Sequence, residues 1–352
     1  MNATIRPLSQ SDYQAIRSLY EVTGAPSPEH RLSALHWLRD RNPRFDPDFD
    51  YLVAEVEGRI VGYWGRMAAR VYHFGNPIEV VFTQEALVDP AFRGRGIARS
   101  LQAKSVEPSE RPMLSLWHNQ KILSLIQSEG WLKLGSFRTM KKIYRADRIV
   151  ASRSSLPLSG IMGSVANALL RLGRSLSSVR RPTTTNALKA VELSRFDRRA
   201  DDLFTRVAQE TPYLCERTQD ILNWRFVDIP HKRYTVLEAP PNGPLEAYAV
   251  CRIQHADGLR KGIIADILAE DENAARSVIA ACDDLFTRQG VDFAVCHGMQ
   301  PAVERAFRSL RYRPARPLPI DSLWVHSSQP LPDADHPGAW HVTLADSDGE
   351  MW

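Results

Sequence analysis

Stretches of the first half of this chain recur, in the same order, in the second. LSALHWLRDRNP sets Trp37 six residues before Pro43, and TQDILNWRFVDIP sets Trp224 six residues before Pro230; each has a leucine two positions ahead of the tryptophan. LSQSDYQAIRSLY is echoed by LSRFDRRADDLF, and LSLWHNQKILSLIQSEGW by FAVCHGMQPAVERAFRSLRY. The separation is roughly 180–187 residues in every case, far too long for a solenoid and suited to a duplicated domain. The 352 residues are therefore expected to form two copies of one fold rather than a single large core.

Each half reads as the same series of elements. In the first, residues 4–8 form a short strand, 11–22 and 28–41 helices, and 51–56 and 60–72 a hairpin about Glu57-Gly58-Arg59. Residues 80–88 follow as a strand, 94–106 as a helix, 113–117 as a strand, 120–128 as a helix and 131–144 as a final strand or strand pair. The order βααβββαβαβ implies an α/β fold, a mixed sheet with helices on both faces. The second half repeats it over residues 191–325.

This gives a first domain at residues 1–150, a linker at 151–187, a degenerate second copy at 188–327 and a loose tail at 328–352. The linker is rich in Ser, Arg, Gly and Thr and has no acidic residue. Val165, Leu169, Leu170, Leu172 and Leu176 nevertheless recur in it at helical spacing between arginines. Packing of that helix across the two domains is one reading; contact with an anionic membrane surface is the other.

Composition narrows the function. A hydrophobic fraction of 43%, a charged fraction of 24% and a net charge of +4 describe a globular protein too weakly basic to imply nucleic acid. Cys215, Cys251, Cys282 and Cys296 form no close pair, so reduced core thiols are expected and no metal site. MNATIRPLSQSDY lacks the apolar core of a signal peptide, and no stretch reaches the ~18 apolar residues of a membrane span. A cytoplasmic location is the expectation.

The chemistry is concentrated in AFRGRGIAR, residues 91–99. A strand stopping at Val88 and a helix opening near Gly94 leave unpaired backbone N–H groups at the first helical turn. With the helix dipole they make an anion site. Gly94 and Gly96 let a phosphate approach the main chain, and Arg93, Arg95 and Arg99 add charge-assisted donors. Three diphosphate binders compete for this pattern. A Walker loop needs GxxxxGK[ST], which the chain lacks. A dinucleotide fingerprint needs a third glycine where Arg99 stands, and an acid after the next strand, which ends Trp117-His118-Asn119. An acyl-coenzyme A cradle is the third.

The stretch ALVDPAFRGRGIARSLQ resembles the strand, Val-x-Pro turn and Arg-Gly-x-Gly-Ile-Ala loop of the GNAT acyltransferase superfamily. Its loop pattern [QR]-x-x-G-x-[GA] is met except at Ala91. HNQKILSLIQSEGW is similar to a second family element, with Asn119, Leu125, Gly130 and Trp131 in register. The resemblance implies two GNAT-like domains in tandem, of which the first binds acetyl-CoA or another acyl-CoA as co-substrate. It further implies that main-chain groups at Leu87 and Val88 hold the pantetheine arm and polarise the thioester. Arg93, Gly94, Arg95, Gly96, Ile97, Ala98 and Arg99 hold the pyrophosphate, and Asn119 reaches the pantetheine. The acceptor is a small-molecule amine or a saccharide precursor, attacking the thioester directly. RTQDILNWRF resembles a segment of tandem acyltransferases of polysaccharide or cell-envelope assembly, although Trp224 reads equally as a core anchor.

Two proton transfers then need side chains. The family's usual acid, a tyrosine, is Ile126 here, which leaves His118 as the candidate acid. Glu85, inside the apolar run VVFTQEALV, is the candidate base; on alternation it shares a face with Thr83 and Leu87, with Arg66 or Arg70 as partner if its role is only structural. In the second half LAEDENAARSVI replaces the cradle, with acids where phosphate would sit, so that copy is expected not to bind CoA. The departure at Ile126 keeps a non-catalytic CoA-binding or interaction protein open as the alternative.

Overall fold

The computed structural model describes residues 3–107, 110–116, 120–153, 188–298, 300–315, 322–336 and 338–347. The chain folds into two compact units, each drawing on separate stretches of sequence. Unit 1 holds residues 1–137, 208–232 and 318–352; unit 2 holds 138–207 and 233–317.

Unit 1 opens with β1 (Thr4–Pro7), α1 (Tyr13–Val22) and α2 (Pro28–Asp40). The turn into α1 is closed by Asp12, which accepts the Ser9 N–H at 2.8 Å and pairs with Arg6 at 2.7 Å. α1 buries Ile16, Leu19 and Tyr20, spaced for one face. α2 starts on Pro28, whose missing N–H costs nothing at that position, and buries Leu35 and Leu38. The strands β2 (Leu52–Val56), β3 (Arg59–His73) and β4 (Asn76–Val88) form an antiparallel meander. α3 (Ile97–Ser105) crosses over to β5 (Met113–Ser115), which pairs parallel with β4; α4 (Gln120–Ser128) leads to β6 (Leu132–Ser136). The helices lie on two faces. Leu8, Ile16, Tyr20, Leu35, Val53 and Tyr63 form the α1/α2 core; Ala54, Trp64, Ile97 and Leu101 pack beneath α3.

Unit 2 contains β7 (Arg138–Ile143), α5 (Ala146–Arg153), β8 (Val191–Leu193) and most of α6 (Arg198–Glu210). β10 (Thr235–Ala239), β11 (Ala247–Ala256) and β12 (Leu259–Ala269) form its meander. α7 (Glu272–Arg288), β13 (Phe293–Gly298), α8 (Pro301–Ser309) and β14 (Arg313–Pro314) complete it. From β8 to α8 the order of strands and helices follows that of unit 1 from β1 to α4, except that the helical stretch standing where α2 does, residues 219–227, falls in unit 1.

The two sheets exchange strands. β15 (Ser322–His326), from the second half, pairs with both β5 and β6 of unit 1. β7, from the first half, lies between β13 and β14 of unit 2. The described order in unit 1 is β1-β2-β3-β4-β5-β15-β6, and in unit 2 β14-β7-β13-β12-β11-β10-β8. Residues 131–144 are therefore neither one strand nor a hairpin: the chain turns at buried Phe137 and its two strands enter different sheets.

Residues 338–347 are not a loose tail. β16 (Trp340–His341) pairs with β9 (Tyr213–Cys215), and Trp340, 1% exposed, stacks on Tyr213 with ring centres 4.4 Å apart. Arg217 meets Asp346 at 2.7 Å beside them. The linker helix read over 161–179 lies outside the described residues. Among the described residues no helix is long and apolar enough to cross a membrane, and all four cysteines are buried and free.

Arg39 ties α2 to the rest of unit 1. Its guanidinium grips Asp50 through two bonds of 2.6 Å and also donates to Tyr13 Oη at 2.9 Å, Asp40 at 2.7 Å and the Leu8 carbonyl at 2.8 Å. Removing one partner of a buried ion pair strands the other. Arg39→Met is expected to cost about 3–5 kcal/mol, read as a lower denaturant midpoint at unchanged slope.

Candidate active site

β4 carries the centre of the site. Its parallel ladder with β5 runs through Val81–Met113, Phe82–Leu114 and Thr83–Ser115, and Thr83 Oγ1 closes it with a 2.6 Å bond to Ser115 Oγ. β4 then continues five residues further, to Val88, paired with β3 alone among the described residues. Residues 84–88, which include Leu87 and Val88, thus run past the end of the described β4–β5 ladder. His118 and Asn119, expected on the opposite side, lie outside the described residues.

A β-bulge sits where the ladder ends. Arg66 pairs with Thr83 and Trp64 with Ala86, so one residue of β3 faces two of β4, Gln84 and Glu85. Bulges break alternation and re-aim side chains, and this one overturns the simple two-residue count. Val81, and by alternation Thr83, face α4; past the bulge Ala86 and Val88 pack with the α3 core, and Leu87 with the α1/α2 core. Glu85 turns toward α2, sharing a side with Leu87 and not with Thr83. Its ion partner is neither Arg66 nor Arg70. Arg66 donates to the Asp50 carbonyl at 2.6 Å, and Arg70 bonds Glu79 at 2.7 Å.

Glu85 pairs with Arg31 of α2, the two side chains 12% and 13% exposed. The Arg31 guanidinium lies 6.0 Å from the centre of the Tyr20 ring. Burial first, then the Glu85 carboxylate, push the Tyr20 hydroxyl well above the usual tyrosine range, which keeps it a neutral donor. Tyr51 stacks on Tyr63 at 5.9 Å, and its hydroxyl donates to the Gln84 side chain. Arg31 and Tyr20 were not singled out in the sequence. Their signal was their spacing: Arg31 stands four and seven residues before Leu35 and Leu38, on the core stripe of α2, where a charge needs a partner. His36, Trp37 and Trp64, aromatic residues near this segment, are occupied otherwise. Trp64 is buried under α3, Trp37 donates to the Trp224 carbonyl at 3.2 Å, and His36 meets Asp40 at 3.0 Å.

The cradle follows β4 directly. Asp89 accepts the Ala91 N–H at 2.9 Å and shapes the turn. Gly94 and Gly96 hold φ of 77° and 78°, the left-handed region where any other residue pays a steric cost. Among the described residues no atom outside their immediate neighbours lies within 4 Å of where a Cβ would stand on either. Gly96 begins α3 and supplies no side-chain cap, leaving the N–H groups of Ile97, Ala98 and Arg99 without intrahelical acceptors. Arg93, Arg95 and Arg99 are exposed around it. Arg93 donates to the Val88 carbonyl at 3.2 Å, Arg95 lies 5.0 Å over Phe92 and Arg99 is 3.2 Å from Glu129. Backbone donors, arginines and the open strand are thus contiguous.

The equivalent helix in unit 2, α7, is closed. Asp271 caps it through a 2.8 Å bond from the Ala274 N–H, supplying from within the negative charge that a phosphate would bring. Ile126, at the position of the expected acid, is 0% exposed and packs with Val81, Met113 and Trp131.

Residues 13–109 match the family model described as the acetyltransferase (GNAT) family. No curated protein matches the chain. A GCN5-related N-acetyltransferase from Anabaena variabilis is similar with a TM-score of 0.60 and 13% identity, over 92% of this chain and 72% of that one. One from Kribbella flavida gives 0.59 and 11%, over 98% and 82%. Saccharomyces cerevisiae N-myristoyltransferase with bound myristoyl-CoA gives 0.57 and 10%, over 92% and 82%. At such identities the likeness is one of fold, and it extends across both units.

Proposed function

We propose, because residues 13–109 are a domain of the acetyltransferase (GNAT) family, that this chain transfers an acyl group from acyl-CoA to an amine. The observation that carries the reading is the uncapped, glycine-opened start of α3 beside the stretch of β4 that outruns its described ladder with β5. The cradle of residues 93–99 suits the pyrophosphate. The main chain at Leu87 and Val88 suits the pantetheine arm and the thioester oxygen. A second proposal concerns the acceptor, a small molecule that enters from the α1/α2 side, where Glu85, Arg31 and Tyr20 converge.

In this reading Glu85 takes a proton from the acceptor ammonium, directly or through water, and the freed amine attacks the thioester carbon. The nitrogen then loses its second proton to solvent, the carbon–sulfur bond breaks, and the leaving thiolate takes up a proton. Ile126 cannot supply that proton; His118 remains the proposed donor. Arg31 holds the Glu85 carboxylate toward α2, a positioning role.

Thiol release with a panel of amines, alongside calorimetry with CoA, tests the proposal. Heat on binding CoA together with thiol release is the expected outcome. Heat without release on any acceptor favours a binding protein, the reading to which the buried Ile126 points. No heat removes both. With an active acceptor in hand, Glu85→Gln is expected to lower kcat by about 10²-fold or more while leaving the CoA dissociation constant unchanged.

A further inference from the structure

The ion pair of Glu85 and Arg31 lies where unit 1 elsewhere places apolar side chains. Arg31 precedes Leu35 and Leu38 by one and two turns on the buried stripe of α2, and Glu85 stands in the run VVFTQEALV. Next to Arg31 come Tyr20, Tyr63 and Tyr51, with ring centres 6.5 and 5.9 Å apart in that order and none more than 2% exposed. Two aliphatic side chains would hold α2 against β4 equally well, since a buried ion pair adds little over a packed apolar contact. Nor does α2 need this pair as a tether. Arg39 already ties it down through Asp50, Tyr13 and the Leu8 carbonyl.

The charges here do not suit an acceptor that is only an ammonium. Glu85 brings one negative charge and Arg31 an equal positive one. The start of α2 adds the positive end of a helix dipole, equivalent to about half an elementary charge, and Ser27 gives that start no side-chain cap. Glu29, in the same first turn, is held by Arg17. An ammonium alone would reach Glu85 against the repulsion of Arg31. An acceptor that carries a carboxylate beside its ammonium meets an opposite charge at both ends. The ion pair then exchanges partners, and neither residue is left with an unmatched charge in a half-dry place. The planar fork of a guanidinium fits a carboxylate in particular.

We infer that the acceptor of the proposed acyl transfer is a zwitterion of the amino-acid class, its ammonium bound to Glu85 and its carboxylate to Arg31. The inference rests on the acyl-transfer reading and names the substrate of that same site. Glu85 stands two residues, about 6–7 Å along the strand, before Leu87, whose main chain suits the thioester oxygen. Glu85 accepts one proton of the ammonium, and the nitrogen forms its bond to the thioester carbon. The nitrogen loses a second proton to solvent, the carbon–sulfur bond breaks, and the thiolate takes up a proton. The amide nitrogen so formed is neutral, and only the carboxylate still holds the product. Once Glu85 has passed its proton to water, it competes with that carboxylate for Arg31. The ion pair re-forms as the product leaves.

Matched acceptors test this on the full chain with acetyl-CoA: the standard amino acids, and the amine that each becomes on losing its carboxylate, with free-thiol release as the readout. At least one amino acid should be used, with kcat/KM about tenfold or more above that of its decarboxylated amine, the worth of one charge-assisted contact. Arg31→Gln should erase that preference, and Arg31→Lys, which keeps the charge, should retain most of it. A merely structural Arg31 would lower both acceptors together and leave their ratio as it was. An unchanged ratio in Arg31→Gln overturns the inference while acyl transfer stands. So does a wild-type chain that uses the decarboxylated amines as well as the amino acids, a result that needs no variant to fold. Release from no amine, with or without a carboxylate, removes acyl transfer and this acceptor with it.

Discussion

Gly96→Asp is expected to remove CoA binding, and Gly96→Asn to weaken it only modestly. Asparagine and aspartate have nearly the same shape and are the two non-glycine residues that best tolerate the left-handed region, which Gly96 occupies at φ 78°. Among the described residues neither side chain meets an atom at its Cβ, and either can turn back to cap α3. Only aspartate sets a negative charge against the diphosphate. At about 4 Å and an effective dielectric near 20, that repulsion is about 4 kcal/mol. Even with much of it screened by Arg93, Arg95 and Arg99, the two variants should differ by about 100-fold in dissociation constant. Calorimetry with CoA reads the difference, and melting curves check that both remain folded. The second unit has an aspartate in the comparable place: Asp271 caps α7 from within. Equal affinities for the two variants would mean that the diphosphate lies elsewhere.

The glycine-opened start of α3 was legible in the sequence because everything it needs is local. Two glycines, flanking arginines and a strand-to-helix junction fall within nine residues, and each property follows from the chain at that point. The likeness of the two halves was legible for a related reason, since it requires only comparison of the chain with itself. Glu85 was legible as an oddity, an acid in an apolar strand, but its direction was not. Alternation sends it toward the side of Thr83, and the bulge at Gln84 and Glu85 sends it to Arg31. A bulge is a property of two strands in register, and no count along one strand contains it. The same limit explains residues 131–144. Their period reads as β-structure, and β-structure they are, but period says nothing about which sheet a strand joins. The tail misled through composition: prolines and scattered acids suggest an open chain, whereas Trp340, Thr343 and Asp346 are held by Tyr213 and Arg217.

That exchange of strands carries the largest expected consequence for the molecule. Residues 1–150 expressed alone hold the whole cradle, yet they should fail to fold cooperatively. The fragment lacks β15, whose ladder joins β5 to β6. It also lacks Trp324, 8% exposed among Val81, Met113, Ile126 and Trp131; burial of a side chain that size is worth about 2–3 kcal/mol or more. The partners of α2 and of the loop after it are gone as well, the Trp224 carbonyl and Glu216, which Arg44 reaches at 2.9 Å. β7 keeps no neighbour, and an unpaired strand with exposed Ile143 invites association. Together these losses take a large share of the about 5–15 kcal/mol by which an ordinary domain is stable. Size exclusion should find aggregate, and circular dichroism should show no sharp melting. A chain joining residues 1–137 by flexible linkers to 208–232 and 318–352 restores every missing partner and should melt cooperatively and bind CoA. A monomeric, cooperatively melting 1–150 fragment would instead show that the first half is a domain in its own right, with β15 an accessory to a core already complete.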